Sequence, residues 1–360
     1  MTRVVRAGIL TAAGVVLVGC GEPPVCGDAS SGQWAADCAS WSIFAQMNRR
    51  AAEGSRDSQW ERWAEATDVF NGQPPRWPDR PPGSKVLRPL RQLEDSHDVR
   101  LVSPLGGKFS EVRLNRATFD FIQGNGYWNV DGLKTIAEKG VNFPKESIEV
   151  KAVWAEDKDG AGARGDYHWQ YDADGNQPIK LTGLHMSSKI VPNWLWATWK
   201  HESTNADPSD DVFGYPGGKR SADLERLFAY YRVPDEWKHY RLIGSQTNFV
   251  RSTGEAVRLG NSKIELGSAR RSSCITCHAI ARVDATGTIY KEPMCDCEGC
   301  NLLGAPVPVY FAGMKQLDFV WSFREITGGV VVTPTCKITR RIVRASSARL
   351  QAARVTQTRE

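Results

Sequence analysis

Apolar positions first recur at helical spacing between Gln33 and Arg50, where Trp34, Cys38, Trp41 and Ala45 fall at i, i+4, i+7 and i+11 and predict an amphipathic helix. Ser58 to Val69 predicts a second helix. The pattern then stops. From Gly72 to Pro89 the prolines at 74, 75, 78, 81, 82 and 89 exclude regular structure and mark a linker or an extended wrap over the surface. Beyond it, short strand-like runs dominate: Ile148 to Trp154, Tyr167 to Tyr171, Ile179 to Val191, Trp194 to Lys200 and Arg241 to Val250. Asp157-Lys158-Asp159-Gly160 and Asp172-Ala173-Asp174-Gly175-Asn176 read as hairpin turns, since Asp-Gly supplies the positive φ such turns require and neither continues into a full calcium loop. Ser221 to Tyr231 is a helical interruption with Leu224, Leu227 and Tyr231 on one face, stopped by Pro234. The expected fold class is α+β, an N-terminal helical segment followed by a β-rich body.

Composition adds little to this, but charge placement adds something. The net charge is +5, yet residues 337–360 carry +6 and the first six residues +2, which leaves −3 for everything between. A slightly acidic body argues against a nucleic-acid partner. The tail reads as a mobile or membrane-surface segment, or as a solvated helix. GK[ST] and HExxH are both lacking, so phosphate-loop and zincin readings have no support.

Two arginines in Met1 to Arg6, an apolar run from Ala7 to Val18 and then Gly19-Cys20 form an export signal too short to span a bilayer comfortably. Leu17-Val18-Gly19-Cys20 resembles the lipobox of bacterial lipoproteins. The resemblance implies that Cys20 is the lipid anchor, with residues 1–20 as signal peptide, and Gly21 in place of Asp points to the outer membrane. The expected location is the bacterial cell envelope, lipid-anchored and facing the periplasm. The expected divisions are 21–89 for the helical segment and linker, 90–335 for the β-rich body and 336–360 for the tail.

Export gives meaning to the nine cysteines. Cys274-Ile275-Thr276-Cys277-His278 is the spacing that attaches haem c, each thiol adding to one vinyl group and the adjacent histidine serving as proximal iron ligand. With nine Cys and six His in 360 residues, chance supplies this pentapeptide only about 0.004 times. A dithiol redox pair lacks its flanking pattern, because Arg270-Arg271-Ser272-Ser273 precedes the first cysteine. Arg270 and Arg271 are instead candidates to pair with haem propionates. Apart from Cys20, Cys274 and Cys277, six cysteines remain. Cys26 with Cys38 would close a short loop, while Cys295, Cys297, Cys300 and Cys336 suit disulfides, thiols left reduced or a four-thiolate metal site. Among the 13 tryptophans, Trp194 and Trp196 share a strand face with Trp199 opposite, an arrangement that suits a porphyrin wall as well as an ordinary aromatic core.

Cys38 to Phe44, Pro192 to Trp199 with His201 behind it, Leu242 to Thr247 leading to Leu259-Gly260-Asn261-Ser262, and Ser272 to Ala279 resemble a group of exported bacterial c-type cytochrome-like proteins. Phe143 to Trp154 with Ile179 to Trp199 is more distantly similar to the sheet of cytochrome P460 and cytochrome c′-β. The long segment between Trp199 and Cys274 departs from that pattern, and no crosslinking lysine can be assigned. The first resemblance implies one covalent haem c in a β-rich haem-binding body, passing electrons between redox partner proteins. The second implies a five-coordinate haem binding or turning over peroxide, nitric oxide or hydroxylamine. A structural lipoprotein with an incidental haem is a third reading. The iron's sixth position decides between the first two. Its candidates are Met186, His201 and Met314, and on a strand His185 and Met186 point to opposite faces, so at most one meets the iron.

Overall fold

The computed structural model describes residues 30, 32–79, 109–160, 165–171, 177–204, 222–265, 272–290, 303–306 and 311–332. Its organising element is an antiparallel sheet of seven strands. These are β1 (Ala64–Glu65), β2 (Phe109–Leu114), β3 (Ile148–Glu156), β4 (Trp169–Tyr171), β5 (Pro178–Ser188), β6 (Leu195–His201) and β7 (Tyr240–Gln246). They pair in the order β1-β2-β3-β5-β6-β7, with β4 added to one end of β5. The protein is α+β, as the residue pattern implies.

Side-chain alternation gives the sheet two apolar faces and hence two cores. Val150, Ala152 and Trp154 of β3, Leu184 and Met186 of β5, and Leu195, Ala197 and Trp199 of β6 face α1 (Gln33–Met47) and α5 (Ala222–Tyr231). The opposite face meets α2 (Ala66–Val69), α3 (Arg116–Gly124), α4 (Val130–Lys139) and α6 (Cys274–Ala279). A small sheet of β8 (Arg282–Val283), β9 (Ile289–Tyr290), β10 (Lys315–Gln316) and β11 (Val331–Val332), in the order β10-β8-β9-β11, completes that second layer.

A bulge in β5 sets which side chains reach which layer. Val153 pairs with Gly183 but Trp154 pairs with Leu181, so Thr182 is the extra residue, its hydroxyl donating to the Val153 carbonyl at 3.1 Å. Before the bulge Ile179 and Leu181 face α1; after it Leu184 and Met186 do. His185 is thereby turned to the α6 side. A matching irregularity in β7, where Thr198 pairs with Gly244 and Trp199 with Leu242, leaves Ile243 unpaired and sends Gln246 to the α6 side, onto Ser273.

Several expectations need correction. In α1 the buried positions are Ala35, Ala36, Asp37, Ala39, Ser40, Phe44, Ala45 and Met47, while Trp34 is 67% exposed. The core face is rotated from the expected one because Asp37 is drawn inward, accepting hydrogen bonds from Gln33 and from Ser245 of β7. Residues 58–69 are not one helix: a single 3-10 turn at Gln59–Arg62 ends in extended backbone at Trp63 and gives way to β1 and then α2. Nor does the proline-rich stretch separate the 21–89 segment from the body, since β1 pairs with β2 and α1 covers β6 and β7. Its described part lies on the second layer, Pro75 accepting from Gln123 at 2.7 Å and Trp77 packing edge-on against Phe119.

Candidate functional site

The Cys-x-x-Cys-His segment forms α6, and its spacing sets Cys274, Cys277 and His278 on one face of the helix. The other face is buried, with Ile275 and Ala279 in the second core and Thr276 beside them. Both ends are pinned. Gln246 donates to Ser273 Oγ at 2.7 Å, Thr276 donates to the Gly304 carbonyl at 2.7 Å, and the Trp321 indole donates to the Cys277 carbonyl at 3.1 Å. Neither Cys274 nor Cys277 is in a disulfide. Burial, with the negative charge of Glu265 adding to it, pushes the Cys274 thiol well above its ordinary value, which is the reverse of what a reactive dithiol at a helix N-terminus requires.

His278 is oriented by the backbone. Its Nδ1 lies 2.8 Å from the Phe319 carbonyl oxygen, so Nδ1 carries the proton and Nε2 is the basic nitrogen. Its ring packs against Trp196, with centroids 4.4 Å apart. Burial, reinforced by the positive charge of Lys151 and Arg324, lowers its pKa to about 3, so the imidazole is neutral and able to ligate at physiological pH.

Behind the Phe319 carbonyl lies a strained loop. Asp318 and Phe319 have φ of 47° and 69°, a region L-residues seldom adopt in succession. The buried Asp318 carboxylate holds the loop there, accepting from Lys189 Nζ at 2.6 Å, the Phe143 amide at 2.7 Å and the Trp194 indole at 3.3 Å.

The sheet side contributes Lys151 and His185, which are paired across β3 and β5. His185 Nε2 is 2.6 Å from Glu265 Oε1, while the other carboxylate oxygen accepts from the Asn261 amide, also at 2.6 Å. Asn261 is itself tied to Thr198 and to the Trp199 carbonyl of β6. Burial raises the Glu265 carboxyl, but His185 and the hydrogen bonds outweigh it and the net shift is downward. His185 Nδ1 is buried and has no hydrogen-bond partner among the described residues.

The structure does not bring Met186 or His201 to His278. Met186 is paired with Ala197 and buried in the α1 layer, on the far side of the sheet. His201 ends β6 with both nitrogens engaged, Nε2 with the Asp166 carbonyl at 2.6 Å and Nδ1 with Ser203 at 2.9 Å. Met314 is half-buried in the turn before β10, outside both apolar clusters. Cys20, Arg270, Arg271, Cys295, Cys297, Cys300, Cys336 and the basic tail lie outside the described residues. Cys38 is disulfide-bonded, to a partner outside them too. Among the described residues no group of three or more His, Cys, Asp or Glu side chains forms a cage for a bare metal ion.

His185 could have been found in the sequence through the phase slip of its neighbours, Ile179 and Leu181 against Leu184 and Met186. Asp318 carries no comparable signal.

Burial lowers the His201 pKa from 6.5 to about 4. The unfolded chain therefore binds this proton first, and stability falls as pH drops from about 6.5 toward 4, by at most about 1.4 kcal/mol per pH unit. Urea unfolding at pH 7 and pH 5 should show a larger loss for the wild type than for His201→Gln; equal losses would refute the assignment.

No family model, curated protein or solved structure matches the chain. The site is therefore read from its own geometry.

Proposed function

We propose that the chain is a mono-haem c-type cytochrome, anchored to the membrane through Cys20 and carrying electrons in the cell envelope. Cys274 and Cys277 hold the porphyrin covalently and His278 Nε2 holds the iron. The observation that carries the reading is the hydrogen bond from His278 Nδ1 to the Phe319 carbonyl, which fixes the ligating tautomer on the helix face that bears the two thiols. When bound, the haem supplies a one-electron couple. The protein's own residues orient the imidazole, keep it neutral, and surround it with the apolar walls of Trp196 and Phe319. Lys151 and Arg324 add positive charge near His278, the sign that propionates need. The redox partners are other proteins of the envelope.

Replacing both Cys274 and Cys277 with serine should abolish haem that survives a denaturing gel; a stained band at undiminished intensity would refute covalent attachment. A second reading, an open iron that binds peroxide, nitric oxide or hydroxylamine, is favoured by the placement of Met186 and His201 away from His278.

A further inference from the structure

We infer that His185, oriented by Glu265, supplies the second axial nitrogen to the haem iron. The inference rests on the covalent-haem reading above and names the sixth ligand that reading lacks. Its basis is the juxtaposition of two imidazoles with the same pattern of engagement. His278 has Nδ1 held by a carbonyl oxygen, and His185 has Nε2 held by a carboxylate oxygen. Each is left with one unengaged nitrogen. A metal-bound histidine almost always donates its other ring N–H to a carbonyl or carboxylate, which fixes the tautomer and makes the ligating nitrogen more basic.

The two rings also share one neighbourhood. The bulge at Thr182 places His185 on the α6 side of the sheet. The Leu259 carbonyl, at the other end of the segment whose Glu265 holds His185, accepts from the Cys274 thiol at 3.5 Å. The segment 259–265 ties these groups together: Leu259 bonds to Ser272 beside α6, Asn261 bonds to β6, and Glu265 reaches His185. Glu265 is thus a positioning residue, its second oxygen clamped by the Asn261 amide so that the first stays on His185.

An unpaired buried polar atom needs an explanation. Leaving one unsatisfied is costly, and native structures keep few of them. A bond from His185 Nδ1 to iron would satisfy that atom, whereas a purely structural His185–Glu265 pair leaves it orphaned.

The test uses the full-length holoprotein, with visible spectra of the reduced form before and after carbon monoxide. The wild type should be low-spin and unaltered by carbon monoxide. His185→Ala should become high-spin and take up carbon monoxide, and added imidazole should restore the low-spin spectrum. Glu265→Gln keeps an acceptor oxygen for His185 Nε2 but loses the charge and the acceptor for the Asn261 amide. It should leave the spin state alone and raise the midpoint potential, because a less electron-rich imidazole stabilises the oxidised iron less. A wild-type spectrum that shifts with carbon monoxide, a His185→Ala spectrum identical to wild type, or an unchanged potential in Glu265→Gln would each overturn the proposal. The Glu265→Gln measurement stands even where His185→Ala does not fold. Failure of the haem reading is seen separately, as the lack of haem on a denaturing gel before any spectrum is recorded; it would overturn both.

Discussion

Asp318→Ala should lower the unfolding free energy by about 3–5 kcal/mol, the cost of removing one partner from a buried charge pair. Lys189 would be left buried without its carboxylate, and the Phe143 amide and Trp194 indole would each lose an acceptor. The substitution also releases two residues from left-handed backbone, φ 47° and 69°, which costs about 1–3 kcal/mol apiece to maintain and persists only where the surroundings enforce it. Relaxation of that loop would carry the Phe319 carbonyl away from His278 Nδ1. Asp318→Asn should recover part of the loss, since asparagine tolerates the conformation and keeps an acceptor oxygen. Urea unfolding of the three proteins checks the order wild type, Asn, Ala. An alanine variant within 1 kcal/mol of wild type would mean that Asp318 does not hold the loop.

Phe44→Ala is the second large expectation, again about 3–5 kcal/mol. Phe44 is fully buried where α1 meets the sheet and α5, with ring centroids 4.8 Å from Trp199, 5.2 Å from Trp41, 5.6 Å from Trp237 and 6.1 Å from Phe228. Four aromatic rings converge on it, and none can collapse into the vacated space without losing its own contacts. Phe44→Leu retains most of the volume and should cost markedly less. Guanidinium denaturation of both variants measures the difference; equal midpoints would show that the site relaxes and that no cavity persists.

The strands between Ile148 and Val250 were legible because their apolar residues alternate, and observed and expected spans overlap at all five. The helix at Ala222–Tyr231 was legible through the helical spacing of Leu224, Leu227 and Tyr231 and its stop before Pro234. The face of α1 was not. Its tryptophans dominate the pattern, yet a polar residue, Asp37, is buried by partners 208 positions away in the chain. Residues 58–69 carry enough apolar groups for a helix, but tertiary pairing of Ala64 with Leu114 extends them instead. At the site the Cys-x-x-Cys-His spacing named its own residues, since that chemistry is local. What surrounds it is assembled from afar: Phe319 is 41 positions from His278, and Glu265 is 80 from His185. No spacing rule reaches that distance.

The single extra residue at Thr182 gives β5 a property that composition does not describe. Up to Leu181 and from Leu184 onward, opposite parities of residue number face α1. Removing Thr182 would restore strict pairing with His185 still opposite Lys151 and Met186 still opposite Val150, whereas drawing Thr182 into the ladder would exchange His185 and Met186 between the two sides of the sheet while altering neither. Whether nitrogen or sulfur is presented to the α6 side is therefore decided by one residue's place outside the ladder, so closing the bulge around Thr182 and substituting the donor itself would be two routes to the same change.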